Sequence, residues 1–415
     1  MSEFERSYTR TTCRFCGGGE LLKYLDLGDQ PPSNAFITAA ELAAERRYPL
    51  RAVLCSHCGA SQLSHVVAAK SIYSDYAYLS STSRPLVEYY QSLVDKLVAR
   101  FQPAASAVMV DIGANDGIML RRYPSGQFRL VGVEPSSAGE EAVKHGLDIR
   151  RRFFDAEAVA GIVSDPGAAS IVTATNVFAH VDEIGTFSAN LRDLLAPDGV
   201  FVIEFPYIVD TVDNLYFDTI YHEHLSYLGL TPLVHLTERS GLRVFDVERT
   251  PTGASGPALR VFVCRAEAGH AKSTAVDTML ESERLWGIAE PAIYQRFAER
   301  VERVRGRLKN LIAEIRADGG RVGGYTAPAK GNTLLNYLGV TVADIESIAE
   351  TNRQKIGTLT PGTHIPVVDE DEFLRSGITH ALLLSWNYAN FFREHSPFAK
   401  AGGRFIIPLP EPSVI

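Results

Sequence analysis

Tyr221-His222-Glu223-His224 is the densest run of titratable side chains in the sequence. A phenol, a carboxyl and two imidazoles set side by side could take up a proton, release one and hold a developing oxyanion. If the run is helical, Tyr221 and His224 share a face and His222 points elsewhere. If it is extended, His222 and His224 share a face, with Tyr221 and Glu223 opposite. Either way two proton-handling groups converge, and Glu223 is expected to orient a histidine. A His-x-His metal site and a solvated loop are the alternatives. Another histidine, His180, closes Asn176-Val-Phe-Ala-His180 just past a strand-like run and could join them. A packing or helix-capping role is its alternative.

A second constellation is built for a ligand rather than for proton transfer. Val108-Met-Val-Asp-Ile-Gly-Ala-Asn-Asp-Gly117 reads as a buried strand, a tight glycine turn and a helix start. Gly113 lets the backbone bend and a ligand approach, and the free amides beyond it suit a carboxylate or phosphate. The spacing D-x-G-x-x-x-G is not that of a dinucleotide binder. Phe128 to Glu134 reads as the next strand, with Glu134 at its carboxyl end, where an acid can hold two ribose hydroxyls. The bland alternative is an α/β turn with no ligand.

Four of the five cysteines form two knuckles, Cys13-Arg-Phe-Cys16 and Cys55-Ser-His-Cys58. Four thiolates can close a tetrahedral zinc site of structural type. A reducing cytoplasm argues against disulfides, and a segment this small needs a staple. Cys264, in Leu259-Arg-Val-Phe-Val-Cys264, reads as core.

These groups need elements to hold them. Apolar content of 46% and charged content of 22% describe a globular chain, and 415 residues suggest about three domains. A net charge of -8 excludes a general nucleic-acid or anionic-membrane surface. No apolar run reaches the ~18 residues that a span requires, and no signal-peptide core is present, so the expectation is a soluble cytoplasmic protein. Ser83 is a candidate cap for a helix carrying Leu86, Tyr90, Leu93 and Leu97 on one face. Ala168 to Thr175 and Val200 to Phe205 read as further strands, and the βαβ alternation implies a mostly parallel sheet with helices on both faces. Phe297, Val301, Val304, Leu308, Leu311 and Ile315 mark a long amphipathic helix, expected to pack on its own domain. A second α/β unit follows, with strands ending near Ala327, Glu350 and Trp386-Asn-Tyr388. Lys330, beside the free amides of a helix start, is a candidate diphosphate ligand.

The D-x-G-x-x-x-G loop with Glu134 looks like that of class I S-adenosylmethionine-dependent methyltransferases. With the paired knuckles, Tyr-His-Glu-His and Gly-Tyr-Thr-Ala-Pro-Ala-Lys-Gly-Asn332, the whole chain resembles the three-domain sugar C-methyltransferases of bacterial deoxysugar biosynthesis. Within them it is most similar to enzymes methylating C-3 on routes to branched sugars such as tetronitrose. Where many members carry Gly-Gly-Ser-x-Arg, this chain reads Gly253-Ala-Ser-Gly-Pro-Ala-Leu-Arg260.

The resemblance implies a zinc-binding module over 1–75, a Rossmann-like methyltransferase domain over 76–250 and a second Rossmann-like domain over 251–415 that holds a nucleotide-sugar. It implies structural zinc on Cys13, Cys16, Cys55 and Cys58. It implies S-adenosylmethionine on Asp111, Gly113, Asn115, Gly117, Glu134, Pro135, Phe154, Asn176 and Val177. A dTDP-linked 4-ketosugar would meet Tyr76, Tyr78, Lys330, Asn332, Lys355, Trp386, Asn387 and Tyr388, with His224, Tyr221, Glu223 and His180 as the catalytic set. The expected assembly is a monomer or weak homodimer. O- or N-methylation of a small molecule, or a non-catalytic binding protein with a degenerate methyltransferase fold, are the rival functions.

Overall fold

The computed structural model describes residues 6–73, 79–82, 84–253 and 256–415. Tyr76, Tyr78 and the cap candidate Ser83 lie outside them.

Val108–Ile112 is buried along its whole length, as an apolar run covered on both faces must be. It is the middle of the five parallel strands of a seven-stranded sheet. In spatial order the strands are Leu242–Gly253, Gly256–Arg265, Leu195–Pro206, Ala169–Thr175, Val108–Ile112, Arg129–Val133 and Asp148–Arg150. The last five run parallel, and Gly256–Arg265 is antiparallel to both of its neighbours. The chain therefore stays in this sheet to Arg265, past the expected boundary at 250. Apolar Leu259, Val261 and Val263 pair into the buried strand Leu195–Pro206. Cys264 is core, as read from the sequence.

The C-terminal unit is a six-stranded sheet in the order Val367–Asp369, Ile348–Glu350, Val322–Tyr325, His380–Leu383, Arg404–Ile407 and Ser413–Val414. All but the last strand are parallel. Chain order reverses at Val322–Tyr325, so the crevice for a ligand opens beyond its carboxyl end, at Thr326 to Lys330.

The N-terminal module pairs Leu21–Gln30, Tyr48–Cys55 and Ser61–Leu63, and its fourth strand comes from elsewhere. Ser226–Tyr227, just after the Tyr-His-Glu-His run, completes it. The long helix Pro291–Ala317 also crosses a boundary. It packs on its own domain, where Tyr337 donates to Glu302 at 2.8 Å, and its first turns also reach the zinc module: Tyr294 and Phe297 meet Tyr24 with ring centroids 4.9 and 6.4 Å apart. Leu21–Gln30 turns Tyr24, Leu25 and Leu27 inward, and that apolar face needs a cover. One continuous core joins all three parts. No helix among the described residues is long and apolar enough to cross a membrane.

Candidate active site

The glycine turn is held from below and from beside. Gly113 and Gly117 have φ of 71° and 76°, where L side chains are strained. A Cβ on Gly113 would stand 2.3 Å from Val177, and one on Gly117 would stand 2.2 Å from Leu147. Glu134 accepts from the Asn115 amide at 2.9 Å and the Ser136 amide at 2.8 Å. Each carboxylate oxygen keeps a second lone pair for a hydroxyl. Asp111 lies deeper than expected for a ligand contact. It accepts from Thr173 at 2.6 Å, and burial pushes its carboxyl up to about 7. Gly113, Asn115, Pro135, Phe154, Asn176 and Val177 are half-buried and follow the carboxyl ends of the sheet's strands. Those residues could hold the nucleoside and amino acid parts of a methyl donor. Ser80 and Ser81, which read from the sequence only as part of a polar join, cover the turn by donating amides to Asn115 and Asp116.

The short turn Phe178–His180 carries the chain from Asn176 to His180. The His180 ring stands edge-on to His224, centroids 5.0 Å apart. The Tyr221 ring lies 4.1 Å from His224 on another side. Residues 221–224 form a turn in which the His224 amide returns to the Tyr221 carbonyl at 2.9 Å. Tyr221 and His224 therefore converge, as the helical reading expected, and His222 points away to the Tyr48 carbonyl at 3.3 Å.

His224 Nδ1 lies 2.8 Å from the Thr219 carbonyl. A carbonyl only accepts, so Nδ1 carries the proton and Nε2 keeps the free lone pair. Burial pushes His224 down to about 4; burial and the neighbouring His224 push His180 down to about 3. Both rings are neutral at pH 7. Glu223 departs from expectation. Its carboxylate accepts from Asn34 Nδ2 at 3.2 and 3.3 Å, at the seam of the zinc module, and burial pushes it up to about 7.

The C-terminal residues divide. Lys330 Nζ donates to Asn387 at 2.5 Å and lies 4.3 Å from the Trp386 ring centroid. Trp386 donates to buried Asp218 at 2.6 Å. Lys355 donates to the Ala327 carbonyl at 2.7 Å and sits 4.9 Å from the Phe36 ring. These contacts cluster about the turn Thr326 to Lys330 and the segment Trp386–Tyr388. Asn332 does not: it is buried, and its amide donates to the Ser33 carbonyl at 2.7 Å, pinning one domain to another. Tyr388 is 55% exposed. Asp218, Asn34 and Phe36 carry no sequence signal, because each acquires a role only through partners distant in the chain.

The four cysteine Sγ atoms lie within 4.8 Å of one another, with Cys13–Cys58 and Cys16–Cys55 both at 3.6 Å. Sulfurs about 2.3 Å from a tetrahedral zinc stand about 3.8 Å apart, so the set fits the ion. Amides of Phe15 and Gly18 donate to Cys13 and Cys16 at 3.4 Å. The Cys58 thiol holds Cys13 down at about 5; the same bond pushes Cys58 up, and burial pushes Cys55 up to about 11. Thiols this close cannot all ionise alone, and a dication removes that penalty.

Residues 13–73, 86–247 and 253–410 match family models described as "Putative zinc binding domain", "Methyltransferase domain" and "C-methyltransferase C-terminal domain". The chain is 36% identical over 406 residues to the C-methyltransferase NovU of Streptomyces niveus, covering 97% of this chain and 96% of that one. The chain belongs to the C-methyltransferases. This methyltransferase uses S-adenosylmethionine, carries structural zinc in its N-terminal module, and has the Rossmann-like sheets expected of it. It also matches a ubiquinone biosynthesis O-methyltransferase of Rhodopseudomonas palustris (strain BisA53), at 26% identity over 23% of this chain and 38% of that one. Among solved structures, the mitomycin 7-O-methyltransferase MmcR aligns with 43% of the methyltransferase and 54% of its own chain, at 18% identity and a TM-score of 0.33. The plantazolicin methyltransferase BpumL in complex with SAH aligns with 43% and 82%, at 12% identity and a TM-score of 0.33.

Proposed function

We propose that this methyltransferase methylates C-3 of a dTDP-linked 4-keto-deoxysugar, in antibiotic sugar biosynthesis, through an enolate generated by His224. The observation that carries the reading is the tautomer of His224. Its Nδ1–H is held by the Thr219 carbonyl, which leaves Nε2 as a base between His180 and Tyr221. The donor, when bound, supplies an electrophilic methyl group.

Carbon becomes a nucleophile only after a C–H beside a ketone loses its proton, and the enolate oxygen then needs a donor. Nε2 of His224 takes the C-3 proton. Tyr221 or His180 donates to the C-4 oxyanion. A buried imidazolium is costly, and the enolate formed beside it offsets that cost by pairing opposite charges. General-base action is worth about 10²–10⁴ in rate and an oxyanion donor about 2.7–4 kcal/mol. Holding two reactants in an attack geometry supplies about 7–11 kcal/mol, the largest contribution, and accounts for a whole domain given to the substrate's nucleotide. Lys330, Lys355, Trp386 and Asn387 would hold the diphosphate and nucleotide there. Glu134, Asn115 and Asn176 would hold the donor.

The test is mass spectrometry of nucleotide-linked ketosugars incubated with enzyme and donor. A product one methyl heavier on carbon supports the reading. Deuterium exchange at C-3 without donor separates enolate chemistry from O- or N-methylation, which needs no such exchange.

A further inference from the structure

The zinc module reaches the segments that carry the proton-handling histidines through two separate routes, one from each cysteine knuckle. In the first knuckle, Arg14 stands between Cys13 and Cys16 with its side chain fully buried. Its Nε donates to Asp182 Oδ1 at 3.0 Å, and Asp182 lies two positions after His180. Tyr8, in the short strand Tyr8–Thr9, and Arg10 just after it hold the same carboxylate. In the second knuckle, the chain leaves Cys58 and enters the strand Ser61–Leu63. That strand pairs antiparallel with Ser226–Tyr227, and the Leu63 amide donates to the Leu225 carbonyl, next to His224, at 2.9 Å. Arg14 joins the routes: its Nη1 donates to the Leu63 carbonyl and its backbone amide to Gln62, both at 2.8 Å.

We infer that the two knuckles set the relative placement of His180 and His224, with Arg14 as the positioning residue that ties both histidine segments to one rigid metal-closed frame. His180 sits on a one-turn helix and His224 on an irregular turn, and neither element is stiff by itself. Rings that must meet a substrate at a fixed separation need support from outside such segments. A buried guanidinium donating to a carboxylate on one segment and a carbonyl beside the other is directional enough to provide it. The zinc site therefore serves the geometry of proton transfer as well as the folding of its own module.

This inference rests on the proposed role of the two histidines, and the test separates the two. The ring C–H resonances of His180 and His224 are assigned by NMR with the help of His180→Asn and His224→Asn. Arg14→Gln, with full zinc content verified, should displace both resonances. Asp182→Asn, which leaves the cysteines untouched, should displace that of His180 more than that of His224, which senses the move only through the ring facing it at 5.0 Å. Misplacement by a fraction of an ångström should lower kcat about 10- to 100-fold with the KM for donor unchanged. Unmoved rings in both variants would overturn the inference, whatever the activity. If Arg14→Gln does not fold or loses zinc, Asp182→Asn decides by itself, and an unmoved His180 ring there overturns it. Displaced rings with unchanged turnover would uphold the positioning and remove the pair from the chemistry.

Discussion

Trp386 of the C-terminal domain donates its indole N–H to Asp218, three positions before Tyr221, at 2.6 Å. The residue that roofs Lys330 is thus fixed to the segment that carries the proposed base. A sugar held by its diphosphate at Lys330 would be indexed to His224 through one short stretch of chain.

Lys330→Ala should accordingly raise the KM for the nucleotide-sugar. A charge-assisted hydrogen bond is worth about 1.5–3 kcal/mol, which corresponds to roughly 10- to 150-fold. Calorimetry with the methyl donor should give an unchanged affinity. An unaltered KM would move the diphosphate elsewhere.

His224→Asn should cut turnover by at least about 100-fold with donor affinity intact, because only the proton acceptor is lost. Steady-state kinetics and donor calorimetry on the same preparation check it. Turnover near that of the parent would exclude His224 as the base.

Tyr221→Phe removes a hydroxyl and leaves the ring against His224. If Tyr221 donates to the oxyanion, kcat should fall by about 10²–10³ with little change in substrate affinity. A change confined to KM would make Tyr221 a binding residue.

Chelation should unfold the N-terminal module, since four crowded thiols lose the cation that reconciles them. Metal content measured beside a thermal melt is the check. A melt that stays the same after verified zinc loss would refute structural zinc.

The buried titratable groups set opposing pH dependences. His222 is pushed from 6.5 down to about 4 by burial, so its stability contribution is full above 6.5 and lost as pH falls toward 4. Glu223 is pushed from 4.5 up to about 7, so its contribution is full below 4.5 and lost as pH rises through 7. Relative to the parent, Glu223→Gln should gain stability between about pH 4.5 and 7, by up to about 1.4 kcal/mol per pH unit. His222→Asn should lose relative stability over nearly the same range. Denaturant midpoints across that range test both, and profiles parallel to the parent's would show that neither group is perturbed by burial.

Much of this chain's architecture is written in local sequence. The knuckles, the glycine turn with Glu134, and the strands around them are local patterns. Their signals are periodicity, punctuation by glycine, and thiol spacing, which depend on near neighbours in the chain. Tyr221 and His224 were readable as a converging pair for the same reason, since a turn brings positions three apart together. The sequence resemblance also carried the donor and the zinc, which depend on those local motifs.

The tertiary structure decided what depends on partners far along the chain. The central sheet runs on to Arg265 because Gly256–Arg265 finds its pairing partner some sixty residues earlier, at Val200 to Pro206. Glu223 turns to Asn34 and Asn332 to Ser33, because burial makes each polar group take whichever donor or acceptor the packing brings near. Arg14 reaches Asp182, and Ser226–Tyr227 completes the zinc module's sheet, through contacts that no spacing encodes. Local patterns specify which chemical groups the chain has. Only packing specifies which of them meet, because a hydrogen bond or a buried ring contact is fixed by distance in space and not by distance along the chain.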